Sequence, residues 1–141
     1  MNMDSFIKNI PKVELHRHLS GAVRSSEMLR IAKKHGLSIE GGSEEDFCTL
    51  TSVQEGECGF GNFLAKFKPR ARFYTDEKVI PDIVQSVIKD AAEDNIIYLE
   101  LRFSSSHFSR HMKFNPASIT EQIISSSLEE VAKHSMQITF L

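Results

Sequence analysis

Apolar and polar positions along the chain change period several times, and each change marks an element. Residues 13–18, Val-Glu-Leu-His-Arg-His, alternate as a strand does and run into a turn that contains Gly21. Residues 27–34 read as a short helix, with Ser25 or Ser26 as its cap and Gly36 just past its end. Residues 37–59 are polar and glycine-rich, a connection with one helical turn around 44–48. Phe60, Phe63, Leu64 and Phe67 fall at i, i+3, i+4 and i+7, so they share one helix face, and Pro69 stops that helix. Thr75 is placed to cap the next helix, whose stripe of Val79, Ile80, Ile83, Val84, Val87, Ile88 and Ala91 runs to about Asp94. Residues 96–103 then alternate again. Ile97, Leu99, Leu101 and Phe103 make one face, and Tyr98, Glu100, Arg102 and Ser104 the other. Asn115-Pro116 opens a helix that buries Ile119, Ile123, Ile124, Leu128, Val131 and Ala132, and 136–141 make a third strand.

The order strand, helices, strand, helix, strand predicts an α/β chain with about three parallel strands and helical crossovers. The last strand, Ile138-Thr139-Phe140-Leu141, has no helix after it to cover its apolar side. The expectation is a truncated domain, or one that pairs with a complementary chain or with itself.

Composition narrows the partners. A net charge of −2 over 141 residues leaves no footprint for nucleic acid. The basic run 66–72 reads as a solvated helix end. No stretch is long and apolar enough to span a bilayer, and the first residues lack a secretory apolar core. Cys48 and Cys58 have no metal-ligand spacing and read as free thiols, so a cytoplasmic location is expected.

The candidate chemistry lies in His16-Arg17-His18. Strand alternation turns His16 and His18 to one side, where two neutral imidazoles can hold one divalent cation, usually zinc. The alternative is two ordinary histidines on a solvated face. Glu14 belongs to the same face by alternation and is expected deeper, paired with Arg102. His107 and His111, four apart, read as surface residues, and His35 and His134 as residues near helix ends.

The surrounding residues go beyond a bare His-x-His. Pro11-Lys12-Val13-Glu14-Leu15-His16-Arg17-His18-Leu19-Ser20-Gly21-Ala22 resembles the first-strand signature of the adenosine deaminase family, a branch of the metal-dependent amidohydrolases. Asn62-Phe63-Leu64-Ala65-Lys66-Phe67 and Ile97-Tyr98-Leu99-Glu100-Leu101-Arg102-Phe103-Ser104 extend the resemblance. It implies the N-terminal part of a (β/α)8 TIM-type barrel, a single segment over residues 1–141. Such barrels take about 250 residues, so the barrel is incomplete in this chain.

The resemblance also implies roles. His16 and His18 match zinc ligands. His18, Ser20, Phe60, Phe63, Leu64 and Phe67 match the substrate pocket. The family's third histidine, its aspartate ligand and its proton-shuttling glutamate come from later strands, so no catalytic residue is expected in this chain. The implied reaction is zinc-dependent hydrolytic deamination of an adenosine-like purine with release of ammonia, with this segment inactive alone. Ser20 departs from the family's usual acidic residue there. A hydroxyl carries no charge, which suits a substrate with a phosphate at its 5′ position. Two other readings stand beside this one: another His-x-His barrel metallohydrolase, such as a phosphoesterase, and a non-catalytic remnant or half of a split protein that acts through a partner.

Overall fold

A computed structural model describes residues 2–109 and 114–141, without the side chains of Arg72 and Thr75. The short helix α1 (Met3–Asn9) comes first, its N-terminus closed by Asn2, whose side chain accepts from the Ser5 N–H. Strand β1 (Lys12–His18) follows, and then α2 (Leu19–Ala22), α3 (Ser25–His35), α4 (Glu44–Thr51), α5 (Phe60–Ala65) and α6 (Phe67–Ala71). Two 3-10 turns lead into α7 (Ile80–Glu93) and strand β2 (Ile96–Arg102). Helices α8 (Ser105–Ser109) and α9 (Pro116–Val131) and strand β3 (Gln137–Phe140) complete the order.

The three strands form one open parallel sheet in the order β1-β2-β3. Helices α7 and α9 cover one face of it. Leu99 and Leu101 of β2 are wholly buried there with Ile83, Val84, Val87 and Ile88 of α7 and Ile119 and Ile123 of α9. Each such side chain contributes about 2 kcal/mol by leaving water. Among the described residues, no helix layer covers the opposite face, which carries Tyr98, Glu100 and Arg102.

Several expectations change at this level. Ile97 is exposed while Ile96 is buried, because β2 carries an extra residue at its start: Lys12 pairs with Ile96 but Val13 pairs with Tyr98. Helix α3 starts at Ser25 itself, with Arg24 in the cap position, and the Ser25 hydroxyl bonds that of Thr51 instead. Gly36 does end α3, at φ 65°, where a residue with a Cβ would be strained. Helix α4 has eight residues rather than one turn. The predicted helix 60–67 splits at Lys66, and Pro69 lies inside α6, within the first turn, where the missing N–H has no partner to lose. Helix α7 begins only at Ile80, behind a 3-10 turn that Asp76 caps through the Lys78 N–H.

The basic run 66–72 is solvated only in part: Lys68 is exposed, but Arg70 is not. Arg70 is buried and donates to the carbonyls of Val23 at 2.7 Å and Thr51 at 3.1 Å, tying α6 to the ends of α2 and α4. On α9, capped by Asn115, the buried side is Ile119, Ile123, Ser126, Ser127 and Glu130, while Leu128 is 53% exposed and Ala132 is exposed too. Small serines rather than leucine line the buried stripe, and Ser127 returns its hydroxyl to the Ile123 carbonyl at 2.7 Å.

Candidate functional site

The carboxyl end of β1 is not a regular strand. Glu14 pairs with Leu99 and Arg17 with Leu101, so three residue steps on β1 match two on β2. The extra residue is a β-bulge, and His16 sits in it at φ 68°, in the left-handed region. The consequence is a division of side chains. Arg17 lies on the helix-covered side, where its Nη1 donates to the Val87 carbonyl of α7 at 3.3 Å. Its Nε and Nη2 donate to Glu14 at 2.6 and 2.5 Å. Glu14 therefore pairs with Arg17, not with Arg102, and the pair lines the same cleft as the histidines.

His16 and His18 keep the uncovered side. Their ring centroids are 5.0 Å apart and both residues are exposed. Arg102, the register partner of His18, lies beside them with Nη1 3.5 Å from His16 Nε2. Partial desolvation, the Arg102 guanidinium and the His16 ring all push the His18 pKa below its ordinary value. A neutral imidazole is the form that binds a cation.

A cleft of about 970 Å³ opens over the pair. His16, His18, Ser20, Phe60, Phe63, Leu64 and Phe67 all line it, so the structure brings every candidate site residue to one place. Phe60, Phe63 and Leu64 are 73%, 46% and 48% exposed on α5, which buries none of its residues. Their rings form a continuous wall: Phe60 stacks on Phe63 at 6.2 Å, and Phe63 meets Phe67 edge-on at 5.3 Å. Ser20 is anchored through its carbonyl, which accepts from the buried Tyr74 hydroxyl at 3.0 Å. No acidic residue stands in the turn that carries it.

Arg102, Phe103, Ser104 and His107 also line the cleft. Arg102 was legible as a residue of the polar face of β2, but its approach to His16 depends on the bulge. His107 had been read as a surface residue, and its predicted companion His111 lies outside the described residues. Among the described residues, no group of three or more His, Cys, Asp or Glu side chains is arranged to hold a metal ion. The histidine pair thus fits two positions of a tetrahedral zinc site and no more.

Three parallel strands in one open sheet, helices on one face and a cleft at the carboxyl ends of the strands define part of a TIM-type (β/α)-barrel. The chain belongs to the adenosine deaminase family, whose model matches residues 11–140. It is 36% identical over 99 residues to the adenosine deaminase of Danio rerio, an alignment that takes in 70% of this chain and 27% of that protein. Among solved structures it is similar to an Arabidopsis N6-mAMP deaminase at 26% identity and a TM-score of 0.72, covering 96% of this chain and 41% of the other. It also has the fold of an amidohydrolase from Burkholderia ambifaria solved with bound zinc, at 23% identity and a TM-score of 0.77, covering 97% of this chain and 36% of that one. The chain therefore spans about a third of the length of these relatives.

Proposed function

We propose that residues 1–141 form the N-terminal segment of one barrel domain, the segment that supplies two zinc ligands and one wall of the substrate pocket in a purine aminohydrolase. The observation that carries this reading is the placement of His16 and His18 side by side at the mouth of the cleft, 5.0 Å apart, facing the aromatic wall. His16 and His18 hold the metal in this reading. When bound, zinc supplies a water made acidic enough to attack at neutral pH. Phe60, Phe63, Leu64 and Phe67 give the purine an apolar surface to stack on, and His18 and Ser20 reach the substrate beside it. The remaining ligands and the proton-transferring group come from outside these residues, so the chain alone holds zinc weakly and releases no ammonia.

Ser20 supports a substrate with a 5′-phosphate over a free nucleoside. An acidic side chain there would repel a phosphate, and a serine hydroxyl can donate to one. The Arabidopsis relative, which deaminates N6-mAMP, points the same way. The edges of β1 and β3 that β2 does not use stand open, and they take further strands from the rest of a barrel, from a complementary chain or by self-association. A cytoplasmic location fits a nucleotide substrate. Among the described residues, no helix is long and apolar enough to cross a membrane.

The test is made on the protein isolated from its natural source. The expected result is about one zinc per assembly and ammonia release from a purine nucleotide. Substitution of Ser20 by Asp is expected to shift the preference towards adenosine. A metal-free species of this chain's own mass, silent with both substrates, would favour the remnant reading. Phosphate release in place of ammonia would favour a phosphoesterase.

A further inference from the structure

We propose that Arg102 sets the cation affinity of the histidine pair by occupying it: in the metal-free chain its guanidinium holds the His16 lone pair that a metal needs. The proposal rests on the zinc reading above. Its basis is geometric. The parallel register places Arg102 directly across from His18, and the bulge brings His16 round to the same side, so one guanidinium faces both imidazoles. Arg102 Nη1 lies 3.5 Å from His16 Nε2. An arginine always donates, so that nitrogen acts as the acceptor, and its lone pair is the one a metal bound at Nε2 would use.

Charge bookkeeping separates Arg102 from the other described arginines. Arg17 is held by Glu14, Arg24 by Asp90 and Arg30 by Glu27, while Arg70 is buried on two backbone carbonyls. Among the described residues, no carboxylate is paired with Arg102 at ion-pair distance, so no ion pair offsets its charge beside the site. A full positive charge a few ångströms from a divalent ion at an exposed site lowers affinity by about tenfold. Arg102 is therefore a positioning residue: it holds the His16 ring in place when no metal is present and must leave that nitrogen when one arrives.

The experiment titrates the 141-residue chain with zinc chloride against a chromophoric chelator and follows the histidine ring signals by NMR. Wild type, Arg102→Gln, Arg102→Lys and the double variant His16→Ala/His18→Ala are compared, each checked for fold by circular dichroism. Arg102→Gln is expected to bind zinc about tenfold more tightly than wild type, and Arg102→Lys, which keeps the charge, within about threefold of it. Equal or weaker binding by Arg102→Gln, with binding by wild type abolished in the double variant, overturns the role of Arg102 and leaves the histidine site standing. Wild-type zinc binding that survives unchanged in the double variant, or no shift of either histidine ring at any zinc level in wild type and Arg102→Gln alike, overturns the zinc reading and this proposal with it. The lysine variant keeps the test decisive if the glutamine variant fails to fold: lysine keeps both a positive charge and a donor for His16 Nε2, so Arg102→Lys binding about tenfold more tightly than wild type would show that neither a donor nor a charge at this position sets the affinity, and would overturn the proposal.

Discussion

Glu14 and Arg17 stand three residues apart in one strand and still hold each other side by side through two hydrogen bonds of 2.6 and 2.5 Å. In a regular strand, positions i and i+3 face opposite ways. The pair exists because the bulge at His16 inserts one residue between them. The same insertion leaves His16 and His18 on the uncovered side and ties Glu14, which lines the same cleft, to Arg17. One irregularity in β1 thus sets both the Glu14–Arg17 pair and the position of the two histidines.

The Glu14–Arg17 pair is expected to couple. Arg17 is mostly buried, and Glu14 about one-third exposed, so solvent screens part of the attraction. Glu14→Gln and Arg17→Met each cost about 1–2 kcal/mol, and a double-mutant cycle gives a coupling of about 1 kcal/mol. Urea denaturation of the four proteins measures it. Strict additivity would show that the pair is incidental to the fold of β1.

His16 occupies a backbone conformation that suits glycine or asparagine better than a branched residue. His16→Gly is expected to keep or slightly raise stability, and His16→Val to lower it by about 1–2 kcal/mol. The two variants remove the same imidazole, so thermal melts of both isolate the backbone contribution. Equal melting temperatures would mean that the φ of 68° carries no strain.

The bulge also marks the limit of what the chain discloses without its fold. The strand at 13–18, the pairing of His16 with His18 and the aromatic face of 60–67 were legible because each depends on spacing within a few residues. The partner of Glu14 was not legible, because pairing read from alternation assumes an uninterrupted period of two, and an extra residue shows only against the partner strand. Leu128 was assigned to the core by its helical spacing from the other apolar residues of 119–132. The helix instead turns Ser126 and Ser127 inward, where the close approach of α7 favours small side chains. Arg70 read as a solvent cation until the carbonyls of Val23 and Thr51 were brought around it. Helix α1 went unread, although Asn2 is an ordinary cap.

Acid is expected to loosen the contact between α3 and α7. Asp82 lies almost buried on α7, with Lys34 Nζ at 2.8 and 2.9 Å and His35 Nε2 at 2.6 Å. Burial pulls its pKa up, but the hydrogen bonds from His35 and Lys34 and their charges outweigh it and hold the carboxyl below its ordinary value of 3.8. The unfolded chain therefore takes up this proton before the folded chain does. The stabilisation is complete above pH 3.8 and is lost as the pH falls below it towards the folded value. Asp82→Asn is expected to cost about 1–3 kcal/mol at neutral pH and to flatten the decline of stability between about pH 5 and pH 3. A slope remains in that variant, because Glu130 is held low in the same way by Lys133 and His134. Urea midpoints across this range, compared with wild type, decide it; parallel curves would show that Asp82 is not the group that titrates.

The aromatic wall comes close to the turn after β1 at Gly21. A Cβ built on Gly21 would lie 3.2 Å from Phe67 Cε1, closer than side chains normally sit. Phe67 in turn meets Phe63, and Phe63 meets Phe60. Gly21→Ala must therefore move a ring at one end of the wall, and the neighbouring rings follow. Gly61, on the same wall helix, has nothing within 4 Å of its would-be Cβ. Gly61→Ala is expected to raise stability by about 0.5–1 kcal/mol through helix propensity, with the aromatic signals unchanged. Gly21→Ala is expected to cost about 1 kcal/mol and to shift the ring resonances of Phe67 and Phe63, with a smaller shift at Phe60. On the proposed function, the same change would raise the KM of the aminohydrolase more than it lowers kcat, because in that reading the wall binds the base and takes no part in proton transfer. Equal and silent behaviour of the two alanine variants would mean that Phe67 has room to retreat, and that the turn carrying Ser20 and the wall facing it are set independently.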